Sequence, residues 1–74
     1  MTVHLADMDP KMLTKACDAV ARNLVDFGYR DVTGAMIREI YDAMKAGKPL
    51  PHGVIGKFAE SQIRDHPQYF GEFA

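Results

Sequence analysis

Residues 9–28 read DPKMLTKACDAVARNLVDFG, and this stretch decides the fold. Asp9 is a favoured N-cap, and Pro10 at the first helical position loses nothing because its missing N–H had no partner there. Leu13, Ala16, Cys17, Val20, Leu24 and Phe27 then recur at steps of three and four. That spacing lays one apolar stripe along a helix. Lys15, Asp18 and Arg22 fall on the other side, with Asp18 and Arg22 spaced as an i,i+4 pair. Gly28 ends the helix by adopting positive φ, and Tyr29 follows where an apolar contact often closes such an end. The first helix therefore runs over about 10–27.

The same grammar continues outward. A second helix is expected over 33–46, capped by Asp31 or Thr33. Its stripe is Met36, Ile37, Ile40, Tyr41 and Met44, with Arg38 and Asp42 paired on the wet face. Gly47 and Pro49 stop it. The loop from Gly47 to Gly53 holds two prolines and is stiff. A third helix over 54–65 carries Val54, Ile55, Phe58, Ala59, Gln62 and Ile63 inward and pairs Glu60 with Arg64. Pro67 terminates it. No run alternates apolar and polar residues as a strand would. The expected fold is an all-α, compact three-helix bundle with an aromatic C-terminal tail over 67–74, a single helical domain spanning residues 1–74.

Size makes such a fold marginal. The chain has 74 residues, 47% hydrophobic and 26% charged. Burial at this mass yields on the order of 110 kcal/mol, and ordering the chain costs on the order of 105 kcal/mol. Small domains usually lean on a disulfide, a metal, an oligomer or regular helix packing. Cys17 is the only cysteine, so no internal disulfide forms. His4, His52 and His66 are scattered without ligand spacing, so no metal or other cofactor is expected. Helix packing remains, and with it self-association into a homodimer that would bury the tail and some of the five methionines.

The lone cysteine and the lack of a leader-like segment suggest the cytoplasm. No apolar run is long enough to span a membrane, so no membrane insertion is expected. The net charge of −1 exerts no global pull on nucleic acid.

Catalytic motifs are missing. Gly53-Val54-Ile55-Gly56-Lys57 lacks the first half of a phosphate loop and the Ser or Thr after its lysine. It reads instead as a helix start in which Gly56 permits close packing. Cys17 reads as a small core hydrophobe, and Asp9 and Asp31 as caps, while Asp7, Asp18 and Asp26 look solvated. The chain is not expected to be an enzyme.

Binding signals are more informative. Lys45, Lys48, His52 and Lys57 lie in a stretch with no acid. They suit an acidic partner, and His52 either caps the third helix, meets a partner or is simply solvated. Tyr69, Phe70 and Phe73 crowd the tail, where they either form an interface or fold back over the core. The expected contact surface comprises Phe27, Tyr29, Leu50 and these tail aromatics, with the four basic side chains steering the partner.

The alternative is nucleic-acid binding through the same basic loop and the third helix. A helix-turn-helix around Gly28 is poorly matched, because Leu24 and Gly34 stand where a small and an apolar residue are usual. The second helix would also present Glu39 and Asp42 to phosphates.

Two resemblances bear on the chain. Phe27-Gly28-Tyr29 resembles the hydrophobic-Gly-aromatic loop of ubiquitin-associated-type three-helix modules, over about Val20 to Ile63. That resemblance implies an apolar binding patch made by the loop and the third helix. The second helix departs from that pattern by about one residue and the Pro loop is longer, so ubiquitin binding is not implied. The segment Asp31 to Ile63, centred on Ala46-Gly47-Lys48-Pro49-Leu50-Pro51-His52-Gly53, resembles small accessory proteins of unknown function from actinobacterial phages. It implies a cytoplasmic protein that binds a host factor, and it transfers no site residues.

Overall fold

Asp9 begins the first helix as its sequence suggests. Its Oδ1 accepts the Lys11 backbone N–H at 2.9 Å, and α1 runs Pro10–Asp26. The computed structural model describes residues 9–73. His4, Asp7, two of the five methionines (Met1 and Met8) and the final residue Ala74 lie outside them. The helix ends in a complete Schellman motif. Tyr29 N–H reaches the Leu24 carbonyl at 3.0 Å, and Gly28 N–H reaches Val25 at 2.9 Å. Gly28 sits at φ 110°, which only glycine adopts without strain.

α2 spans Gly34–Ala46 and is capped by Thr33 rather than Asp31. Thr33 Oγ1 accepts the Met36 N–H at 3.3 Å. Its far end repeats the Schellman pattern, with Gly47 at φ 68° and the Lys48 N–H on the Ala43 carbonyl at 2.9 Å. Arg38 pairs with Asp42 at 3.1 Å. α3 spans Gly53–Asp65 and carries the Glu60–Arg64 pair at 3.3 Å. Among the described residues Asp18 and Arg22 make no such pair. The tail is not a free extension. Pro67–Phe70 forms a short helix, α4, packed on α1 and α3.

The protein is an all-α three-helix bundle, without strands among the described residues. Its core joins Leu13, Cys17, Val20 and Leu24 of α1 to Ile37, Ile40 and Tyr41 of α2 and Ala59 and Ile63 of α3. Val32 and Phe70 close the two ends. No described helix is long and apolar enough to cross a membrane.

Two stripes differ from the sequence reading. Phe27 leaves the α1 stripe, because the helix stops at Asp26 and Phe27 becomes its C-cap. On α3, Val54 and Phe58 were expected inside and are outside. The face that packs is Gly56, Ala59 and Ile63, with Ile55 partly buried. Gly56 is the point on that face where the Pro loop comes closest. A Cβ there would collide with the Pro51 carbonyl oxygen, so the missing side chain lets the Pro loop close onto α3.

Candidate functional site

Of the six exposed large apolar side chains among the described residues, Met12, Val25 and Tyr69 lie apart from Phe27, Val54 and Phe58. Phe27 is 77% exposed, Val54 60% and Phe58 48%. Val54 and Phe58 are one turn apart on α3, hence on one face. The Tyr29 ring packs on Phe58 with centroids 5.6 Å apart. Leu24, Phe27, Tyr29 and Phe58 surround a shallow hollow of about 290 Å³. The Schellman end of α1 builds this site. It throws Phe27 outward, and the reversal at Gly28 returns Tyr29 toward α3. Lys57 precedes Phe58 on the exposed side of α3 and flanks the patch.

The other expected contact residues go elsewhere. Phe70 is 1% exposed and belongs to the core, its ring tilted against Tyr41 with centroids 6.0 Å apart, so the expected contact side chain is buried within the chain. Phe73 is partly buried, edge-on to Tyr41 at 5.9 Å and under the Arg64 guanidinium. Leu50 is partly buried against the core and lies beside Gly56, where it helps seat the loop. These three turn inward because a core of this size needs them. Phe70 of α4 and Phe73 beyond it are covered within the chain, while Tyr69 stays exposed.

The basic set is also divided. Lys45 Nζ lies 5.8 Å from the centroid of the Tyr41 ring, on the side of α2 that meets Phe70 and Phe73. Lys48 is exposed just beyond the α2 end. His52 Nε2 donates to Glu39 Oε1 at 2.8 Å. It occupies the N-cap position of α3 yet makes no side-chain cap bond, and its φ of 67° makes it the one described non-glycine residue with a positive φ. Glu39 therefore places an acid within the loop's basic cluster, which the local sequence had hidden thirteen residues upstream.

Cys17 is buried against α2. Burial pushes its thiol up to about 11, so it stays protonated and unreactive near neutral pH. Among the described residues no group of three His, Cys, Asp or Glu side chains is arranged to hold a metal.

A second depression was not anticipated. α1, α3 and α4 enclose a mainly apolar groove of about 310 Å³. Met12, Ala16 and Ala19 wall one side, and His66 and Tyr69 the other. His66 Nδ1 donates to the Gln62 carbonyl at 2.7 Å, and its ring stacks on Tyr69. The sequence did carry a signal for it: Met12, Ala19 and Asn23 fall on one face with the core-stripe residue Ala16 at 4-3-4 spacing, so the groove borders the core.

No family model, curated protein or solved structure matches this chain.

Proposed function

We propose that this chain is a non-enzymatic helical module that binds another protein through the face formed by Phe27, Tyr29, Val54 and Phe58. The observation that carries the reading is the contiguous exposure of Phe27 and Phe58 about one hollow. Single exposed hydrophobics are ordinary, but a grouped apolar face marks a contact surface. Scaled by their exposure, Phe27, Val54 and Phe58 leave on the order of 4 kcal/mol of transfer free energy in water. A domain of this length is stable by only ~4–11 kcal/mol, so that is a large fraction of the whole. A partner recovers it on binding.

Lys57 at the edge of the patch favours a partner with acidic residues at the rim. The single buried Cys17 suits a reducing compartment, and the reading takes the cytoplasm as the place of action. The resemblance to phage accessory proteins adds a direction, a host factor as partner, and no residue.

Affinity capture tests the reading with wild-type protein and a Phe27→Ser/Phe58→Ser double variant. Circular dichroism first establishes that the double variant keeps its helix content. Proteins retained by wild type and lost by the variant support the proposal. Retention of the same proteins by both, or of none by either, counts against it. A nuclease-treated arm separates the nucleic-acid alternative, whose enrichment would vanish there and weaken steeply with salt.

A further inference from the structure

The apolar face at Phe27 continues into the groove. Gln62 lines both hollows, and Asn23 Nδ2 donates across the seam to Gln62 Oε1 at 3.4 Å. The two depressions are therefore successive stations along one α1–α3 seam. Met12, Ala16, Ala19 and Asn23 share one face of α1 and give it the 4-3-4 spacing of a helix-packing seam. Two of those four residues are alanines, which let a neighbouring backbone approach closely. Around both hollows the lining carries one fixed positive charge, Lys15, and one imidazole, His66, and no carboxylate.

We propose that this seam is a helix-docking groove, and that its occupant is an acidic amphipathic helix of the partner protein, completing a four-helix bundle. The proposal rests on the protein-binding reading of the Phe27–Phe58 face and extends it along the molecule. The hollows are centred near Ala16–Ala19 and near Leu24–Phe27 on α1. That separation, about eight residues at ~1.5 Å each, is ~12 Å. A docked helix spans it with two large apolar side chains seven or eight positions apart. Between them a polar residue meets Asn23 and Gln62. An acid beside the first anchor meets Lys15. A small ligand would fill one hollow and leave the other in water, whereas a helix covers both.

The test selects binders from a displayed library of 18-residue helical peptides against the immobilised full-length chain. Their affinities are then measured on wild type, Ala19→Trp, Phe58→Ser and Lys15→Glu. Ala19 and Lys15 are exposed, so these changes leave the core intact, and circular dichroism verifies it. The proposal expects enriched peptides with two large apolar residues seven or eight apart and net negative charge. Ala19→Trp fills the groove and Phe58→Ser removes an anchor wall, and each weakens binding at least ~10-fold, on the scale of a lost hot spot. Lys15→Glu weakens it ~2–5-fold, on the scale of an exposed charge pair.

Sensitivity to Phe58→Ser alone overturns the groove and leaves the protein-binding face standing. Sensitivity to Ala19→Trp alone, or the absence of any enriched peptide, overturns the helix-docking groove, while the protein-binding face stands or falls by the Phe27→Ser/Phe58→Ser capture. A dimer of this chain that Ala19→Trp abolishes overturns the proposal by naming a second copy as the occupant.

Discussion

Tyr69 and Phe70 are neighbours in the chain with opposite fates, and substituting each by alanine separates them sharply. Phe70 is 1% exposed against Tyr41, while Tyr69 is 45% exposed at the rim of the groove. Removing a buried phenylalanine side chain costs ~3–5 kcal/mol, the lower end applying where water can enter the space left. Phe70 also borders the open groove, so ~3 kcal/mol is the appropriate figure. Unfolding entropy of ~2.1 cal/mol/K per residue converts this, for a chain of this length, to a fall in Tm of about 20 °C. Tyr69→Ala removes a half-exposed ring and should cost under ~1 kcal/mol, or a few degrees. Thermal and urea unfolding followed at 222 nm by circular dichroism measure both. A Phe70→Ala protein as stable as wild type, or a Tyr69→Ala protein that loses more, would refute the assignment of α4 to the core.

Further substitutions at four positions follow from the geometry. Gly56→Ala should destabilise by ~1–3 kcal/mol, because the new methyl meets the Pro51 backbone carbonyl. Gly34→Ala meets only the Asp18 carboxylate, which can rotate away, and should be neutral or slightly stabilising in the same urea titration. Cys17 should resist a thiol reagent at pH 8 in the folded state and react fully in urea. Its folded value of about 11 lies above its ordinary 9.0, so the unfolded thiol ionises first. Its contribution to stability is then full below pH 9 and falls by ~2–3 kcal/mol as pH rises to 11. Cys17→Ala should flatten that part of the pH–stability curve relative to wild type. His52→Val should be less stable than His52→Asn by ~1 kcal/mol, since both lose the Glu39 contact but valine tolerates a φ of 67° far worse. Equal stabilities would argue against the left-handed loop.

The helices were legible because their punctuation is local. Asp9, Thr33, Gly28 and Gly47 act through hydrogen bonds to residues two to five positions away. The turn that carries Phe27 and Tyr29 was legible for the same reason, since the Gly28 reversal is a short-range event. The errors came from tertiary choices. Nothing near Phe58 says that α3 turns its Gly56, Ala59 and Ile63 face inward, because that face is chosen by packing against the other helices. Nothing near Phe70 says which tail aromatic meets Tyr41. His52 read as a cap, a partner contact or a solvated side chain, yet its hydrogen-bond partner Glu39 comes from α2, thirteen residues upstream. The α1–α3 groove needed the three-dimensional neighbour to give meaning to the Met12–Asn23 spacing.

If the Phe27–Phe58 face meets another protein, as proposed, a reactive group placed on it captures that protein. Photo-crosslinking tests it most directly. A benzoylphenylalanine at position 58 is compared with one at Glu72, an exposed position at the far end of the chain. Irradiation in cell extract should give a discrete cross-linked band from position 58 that Phe27→Ser suppresses, and none from position 72. Equal labelling from both positions, or a band from position 58 that Phe27→Ser leaves unchanged, would contradict the account.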